Sequence, residues 1–182
     1  MNRLKILDIA YIALFAAVMA ICAWISIPTT VPFTLQTFGV FLAVTVLGGK
    51  RGTVSVLVYL LLGAVGAPVF AGFTGGMGRL LGTTGGYIVG FLFAALIMWL
   101  AERVFGDKAP VLILSMVAGL IVCYAFGTAW FMSVYAKNTG SIGIMTALSW
   151  CVLPYIPADA IKLVLAFFVG KRPKKYIKTA KA

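Results

Sequence analysis

Histidine does not occur in this chain of 182 residues, and only four residues are acidic: Asp8, Glu102, Asp107 and Asp159. A Ser-His relay is therefore unavailable, and a histidine-bearing zinc centre with it. Cys22, Cys123 and Cys151 stand alone within apolar segments with no CxxC spacing, which reads as buried structural cysteine rather than a metal, redox or disulfide framework. Polar linkers, low-complexity stretches and a convincing internal repeat are missing too, so a single domain over residues 1–182 is expected. No small-residue cleavage site precedes a soluble region, and the apolar run after Asp8 is long enough to span a membrane, so no cleaved leader is expected. The glycine-rich stretch is followed by no GK[ST], which excludes nucleotide hydrolysis on a P-loop.

What the chain has is apolar surface. Hydrophobic residues make up 63% of it and charged residues 10%, outside the range of soluble globular domains and characteristic of a polytopic membrane protein. The apolar runs predict an all-α integral membrane fold of six transmembrane helices in one bundle, over 7–26, 36–48, 52–66, 84–102, 110–135 and 143–170. The second and third are short for a hydrocarbon core of about 30 Å at about 1.5 Å per residue. A re-entrant hairpin over 36–66 is the alternative, but it would carry Lys50 and Arg51 into the membrane.

The formal charge of +11 is not a nucleic-acid footprint, because the basic residues lie in short clusters between apolar runs and at the C-terminus. With both termini in the cytoplasm, Arg3, Lys5, Lys50, Arg51, Arg103, Lys108 and the basic tail over 171–182 (Lys171, Arg172, Lys174, Lys175, Lys178, Lys181) all fall inside, as the retention of Lys and Arg on that side demands. Such a tail also favours anionic membrane lipid. Asp8, Glu102 and Asp107 sort to the same side, and Lys137 falls in a short outer turn. Arg79, Asp159 and Lys162 are left without an orienting role.

Asp159 and Lys162 share one helix face at a spacing of three, about twelve residues or roughly 18 Å of helix from the tail. Ionisable groups at membrane depth face a cavity or a partner. Pro154 and Pro157 just before them should kink or interrupt the last helix. The bland reading is an ion pair that only joins helices. Two outer connections lie on the same side. IPTTVPFTLQTF, which holds Phe33 and Gln36, has two prolines and suggests an extended loop. The other holds Phe73, Arg79 and eight glycines between Gly72 and Gly90, Gly76 and Gly86 among them. Irregular backbone at this depth is tolerated where it lines a cavity, and glycine N–H groups can meet an anion. Close helix packing is the competing use of Gly63, Gly66 and Gly90. In the first helix, Ala10, Ala13, Ala17 and Ala20 form a smooth face suited to close approach, either within the molecule or to another membrane protein.

The runs VPFTLQTFGVFLA, SVLVYLLLGAVGAPVFAGFTGG, GTTGGYIVGF and PADAIK, in this order, resemble the BioY family, biotin-binding substrate-capture (S) components of energy-coupling factor (ECF) transporters. The resemblance runs from the first helix to the last. It implies a six-helix bundle in a prokaryotic cytoplasmic membrane that holds biotin near its outer end under the first outer loop. It also implies docking on a transmembrane coupling protein driven by two ATP-binding-cassette ATPases, through a small-residue face matched here by Ala13 and Ala17. The family's D-x-x-K pair matches Asp159 and Lys162. This chain departs from the family's GPTGGY in having Thr83, which leaves that loop without a proline's constraint.

Biotin suits the residues. Asp159 can accept from the ureido N–H groups, and Lys162 can donate to the ureido carbonyl. Phe33, Phe73 and Tyr87 offer walls and a hydroxyl, with Gln36, Gly76 and Gly86 beside them. Arg79 and the glycine N–H groups could meet the carboxylate. The expectation is vitamin uptake without catalysis, metal or cofactor, since ATP is used only by the partner subunits. Two alternatives stand: an S component for thiamine or riboflavin, and an intramembrane hydrolase. The latter would need a serine at Lys162, and Ser149 is more than three turns away along the helix.

Overall fold

The computed structural model describes residues 3–29 and 31–179, with side chains described over 6–29 and 31–171. Eight helices account for most of these residues: α1 Arg3–Trp24, α2 Gln36–Leu47, α3 Gly49–Ala64, α4 Met77–Leu81, α5 Gly85–Phe105, α6 Ala109–Asn138, α7 Ile144–Cys151 and α8 Ile156–Thr179. Arg3 and Lys5 and the tail cations from Arg172 to Lys181, assigned to the cytoplasmic side, have side chains outside the described residues.

The long helices form where the apolar runs predict them. Three of them, α1, α5 and α6, are long and apolar enough to cross a membrane, and α7 with α8 makes a fourth if the bent pair counts as one span. Large side chains such as Leu14, Ile21, Leu61, Leu100, Leu114 and Leu165 are exposed around the bundle. In water such a surface would be an aggregation liability; against lipid chains it needs no cover. The single helix expected over 143–170 is broken instead. Val152–Tyr155 separates α7 from α8 and the two meet at 48°, because Pro154 and Pro157 cannot donate to the hydrogen-bond ladder. Pro157 falls in the first turn of α8, where a missing N–H has no partner to lose.

α5 lies along α6, α2 along α8, and α3 against α1, α2 and α5. At the α5–α6 seam Gly90 meets Cys123, Gly119 meets Ala94 and Gly127 meets the Tyr87 ring, each too close for an added Cβ to be accepted without a shift. α2 and α3 turn back on each other at Gly48. Just past that turn the Gly49 N–H donates to the Glu102 carboxylate and Arg51 pairs with Asp8 at 3.0 Å. The turn therefore lies level with the start of α1 and the end of α5, so Lys50 and Arg51 stand at the charged end of the bundle and not at its middle.

The opposite end carries the irregular backbone. Ser26–Ile27 (β1) and Phe33–Thr34 (β2) pair antiparallel, with Ser26 opposite Thr34, giving the IPTTVPFTLQTF connection the extended form its prolines predict. The glycine-rich connection folds through a 3-10 turn at Ala71–Phe73 and then into α4, a short helix that no apolar periodicity announces and that carries Arg79. The main core, with Tyr59, Phe41, Phe70 and Met19 fully buried, fills the bundle. A smaller cluster of Val31, Tyr87, Phe131, Ala147, Cys151 and Val152 lies beside this hairpin.

Candidate ligand site

Between the two apolar clusters lies a cavity of about 70 Å³, several times the space one water needs. Its wall draws on most of the elements at this end of the bundle: Val31, Pro32 and Thr34 of the hairpin, Gln36 and Thr37 of α2, Ala71 of the 3-10 turn, Arg79 of α4, Thr84, Tyr87, Ile88 and Phe91 before and in α5, Leu120, Cys123 and Tyr124 of α6, Cys151 and Tyr155, and Asp159 and Lys162 of α8.

The proline break puts Asp159 in the first turn of α8, where the unpaired N–H groups of a helix start favour a carboxylate. Three residues on, Lys162 Nζ donates to Asp159 Oδ1 at 2.8 Å. The second oxygen, Oδ2, accepts from the Tyr124 hydroxyl of α6. Asp159 is 4% and Lys162 5% exposed, so desolvation opposes both charges and only this pairing holds them. Lys162 Nζ also lies 4.4 Å from the centre of the Phe33 ring, an electrostatic contact with a π-face that needs no solvent. The pair thus carries almost no net charge, yet it presents acceptor and donor side by side to the cavity.

Tyr155, in the break itself, pins the hairpin. Its hydroxyl donates to the Val31 carbonyl and lies 3.2 Å from Thr29 Oγ1, while its ring stacks on Phe33 at 5.7 Å. Gln36 Nε2 donates to the Tyr59 hydroxyl at 2.6 Å, and that hydroxyl donates to the Val69 carbonyl at 3.0 Å, tying α2, α3 and the glycine-rich connection together. Tyr87 exchanges a hydrogen bond with Thr128 at 2.9 Å. Arg79 lines the same cavity, and its Nε is buried with no hydrogen-bond partner among the described residues. An unpaired buried donor costs about 1–3 kcal/mol, which a ligand acceptor would offset.

Of the residues singled out from sequence, Asp159, Lys162, Arg79, Tyr87 and Gln36 line the cavity, and Phe33 reaches it through Lys162. Phe73, Gly76 and Gly86 lie elsewhere. Phe73 has a φ of 56°, is 63% exposed and stacks on Trp24 at 4.9 Å. The Gly76 N–H donates to the Gly63 carbonyl at 2.7 Å, so it is not free for an anion, and its φ of 93° is what requires glycine there. Gly86 makes room for Trp130 of α6. Tyr124 and Tyr155, which the sequence analysis passed over, are central. Ser149 is exposed and donates to the Thr146 carbonyl at 2.8 Å, away from Lys162. Ala10, Ala13 and Ala17 are exposed on α1, whereas Ala20 is buried in the core.

The family model for BioY proteins matches residues 1–179. The chain belongs to the BioY family. It is 44% identical over 164 residues to the "Biotin transporter BioY" of Thermotoga maritima, covering 89% of this chain and 92% of that protein. It is 39% identical over 170 residues to the "Probable biotin transporter BioY" of Pyrococcus horikoshii, covering 93% and 97%. Its fold matches the crystal structure of the S-component for biotin from an ECF-type ABC transporter with a TM-score of 0.83, at 28% identity over 96% of this chain and 94% of that one. The BioY resemblance read from VPFTLQTF to PADAIK thus holds across the whole length, and the cavity described above belongs to a BioY-family bundle.

Proposed function

We propose that this chain captures biotin at the outer face of the cytoplasmic membrane as the S component of an ECF-type transporter, and is not an enzyme. The observation that carries the reading is the buried Asp159–Lys162 pair, neutral as a whole and open to a cavity under a pinned hairpin. A ureido ring has both N–H donors and a carbonyl, so it can meet carboxylate and ammonium at once. Arg79, which lines the cavity and whose Nε has no hydrogen-bond partner among the described residues, would take the carboxylate, and the apolar wall of Ile88, Phe91 and Leu120 would take the thioether ring and chain. A cationic vitamin such as thiamine finds no unpaired carboxylate here. Native mass spectrometry of the purified protein offered biotin, thiamine and riboflavin together is expected to show a biotin adduct alone; a thiamine or riboflavin adduct would overturn the substrate assignment.

The topology that goes with this reading is one domain of six spans, α1, α2, α3, α5, α6 and the broken α7–α8, with both termini cytoplasmic. It is supported by the gathering of Asp8, Arg51 and Glu102 at one end and of the cavity at the other. α2 and α3 would reach across as a pair of short helices. No cofactor is needed: the ATP is used by two ATPase subunits through a coupling membrane protein, docked on the exposed Ala13–Ala17 face of α1. The expected result for Ala17→Trp is uptake lowered at least tenfold in cells carrying the coupling subunits, with biotin affinity of the purified chain unchanged. Normal uptake would remove the docking assignment.

A further inference from the structure

The cavity does not end at Arg79. Pro32, Ala71, Arg79 and Thr84 belong both to its wall and to the wall of a second, partly open space of about 330 Å³ that lies outward of it. The hairpin contributes Ser26 to this outer space and the loop before α5 contributes Thr83. The vestibule wall is mixed, with hydroxyls of Ser26, Thr83 and Thr84 set among a larger apolar surface that includes Pro28, Pro32 and Ala71, and with one guanidinium at its junction with the inner cavity. We infer that this chain takes biotin derivatives extended at the carboxyl end, amides on short amines, with the substituent lodged in the vestibule. The inference rests on the biotin reading and deepens it. An amide keeps a carbonyl oxygen for the buried Nε of Arg79, so conversion of the acid to an amide leaves an acceptor where the structure has an unpartnered donor. The atoms beyond that carbonyl then have a partly open space in place of packed side chains: its mixed wall suits an aliphatic stem, and its open side suits a polar end.

Isothermal titration calorimetry of the purified chain with biotin and with ε-N-biotinyl-lysine tests this. The expected result is affinity for the amide within tenfold of that for biotin. Thr83→Trp should weaken the amide at least tenfold more than it weakens biotin, because Thr83 lines the vestibule and not the inner cavity. Ser26→Trp fills the same space from the hairpin side and replaces it if the first variant no longer binds biotin. An amide more than tenfold weaker than biotin on the unaltered chain overturns the inference while leaving biotin capture intact, as does equal loss of both ligands in both tryptophan variants. Failure of the unaltered chain to bind biotin overturns the proposed function and this inference with it.

Discussion

Asp159→Asn is expected to raise the dissociation constant for biotin at least tenfold, about 1.4 kcal/mol, in calorimetry on the purified chain. The amide cannot accept on both sides of the former carboxylate, and Lys162 loses the partner it holds at 2.8 Å. Because both groups are nearly fully buried, the substitution also strains the fold: breaking a buried pair by removing one partner costs about 3–5 kcal/mol. Two effects are therefore superposed, and a second variant separates them. Asp159→Leu with Lys162→Met replaces the pair by apolar groups, which is about neutral for stability, and should restore the melting temperature without restoring binding. Normal affinity in Asp159→Asn, or binding recovered in the apolar double variant, would reduce the pair to a helix fastener.

Arg79→Gln carries the second large effect. A hydrogen bond to a charged group is worth about 1.5–3 kcal/mol, so losing the guanidinium opposite a carboxylate should weaken biotin roughly ten- to a hundredfold. The Nε of Arg79 has no hydrogen-bond partner among the described residues, so thermal stability should hold. Biotin methyl ester, which keeps a carbonyl acceptor but lacks the negative charge, should lose less than the acid in the same variant, roughly two- to tenfold. Equal losses for acid and ester would mean that Arg79 shapes α4 and does not read the ligand.

Much of this site could be read from sequence because charge is rare in it. Asp159, Lys162 and Arg79 stood out once topology had absorbed the other charges, and all three line the cavity. The proline pair marked the break that sets Asp159 at a helix start. Other features depend on neighbours that sequence does not announce. Tyr124 meets Asp159 only because α6 and α8 converge across a separation of 35 residues, and a tyrosine in an apolar helix looks like any interfacial aromatic. Tyr155 likewise acts on a hairpin 124 residues away. Glycines and aromatics misled for the opposite reason, since they have many ordinary uses: Gly86 admits Trp130, Gly76 turns the chain, and Phe73 stacks outward on Trp24. The short α4 is only five residues long, too brief to show a period.

The pinned hairpin belongs to the site: Tyr155 stacks on Phe33 and holds Val31, and the Phe33 ring lies beside Lys162, so the same residues help to shield the paired charges from water. The account stands on where the ureido ring lies. A crystal structure of the chain with biotin bound measures this directly. The account predicts ureido N–H groups within about 3 Å of an Asp159 oxygen, the ureido carbonyl within the same distance of Lys162 Nζ, and the carboxylate toward Arg79. Biotin bound with its ureido ring away from both residues, or outside this cavity, would contradict it.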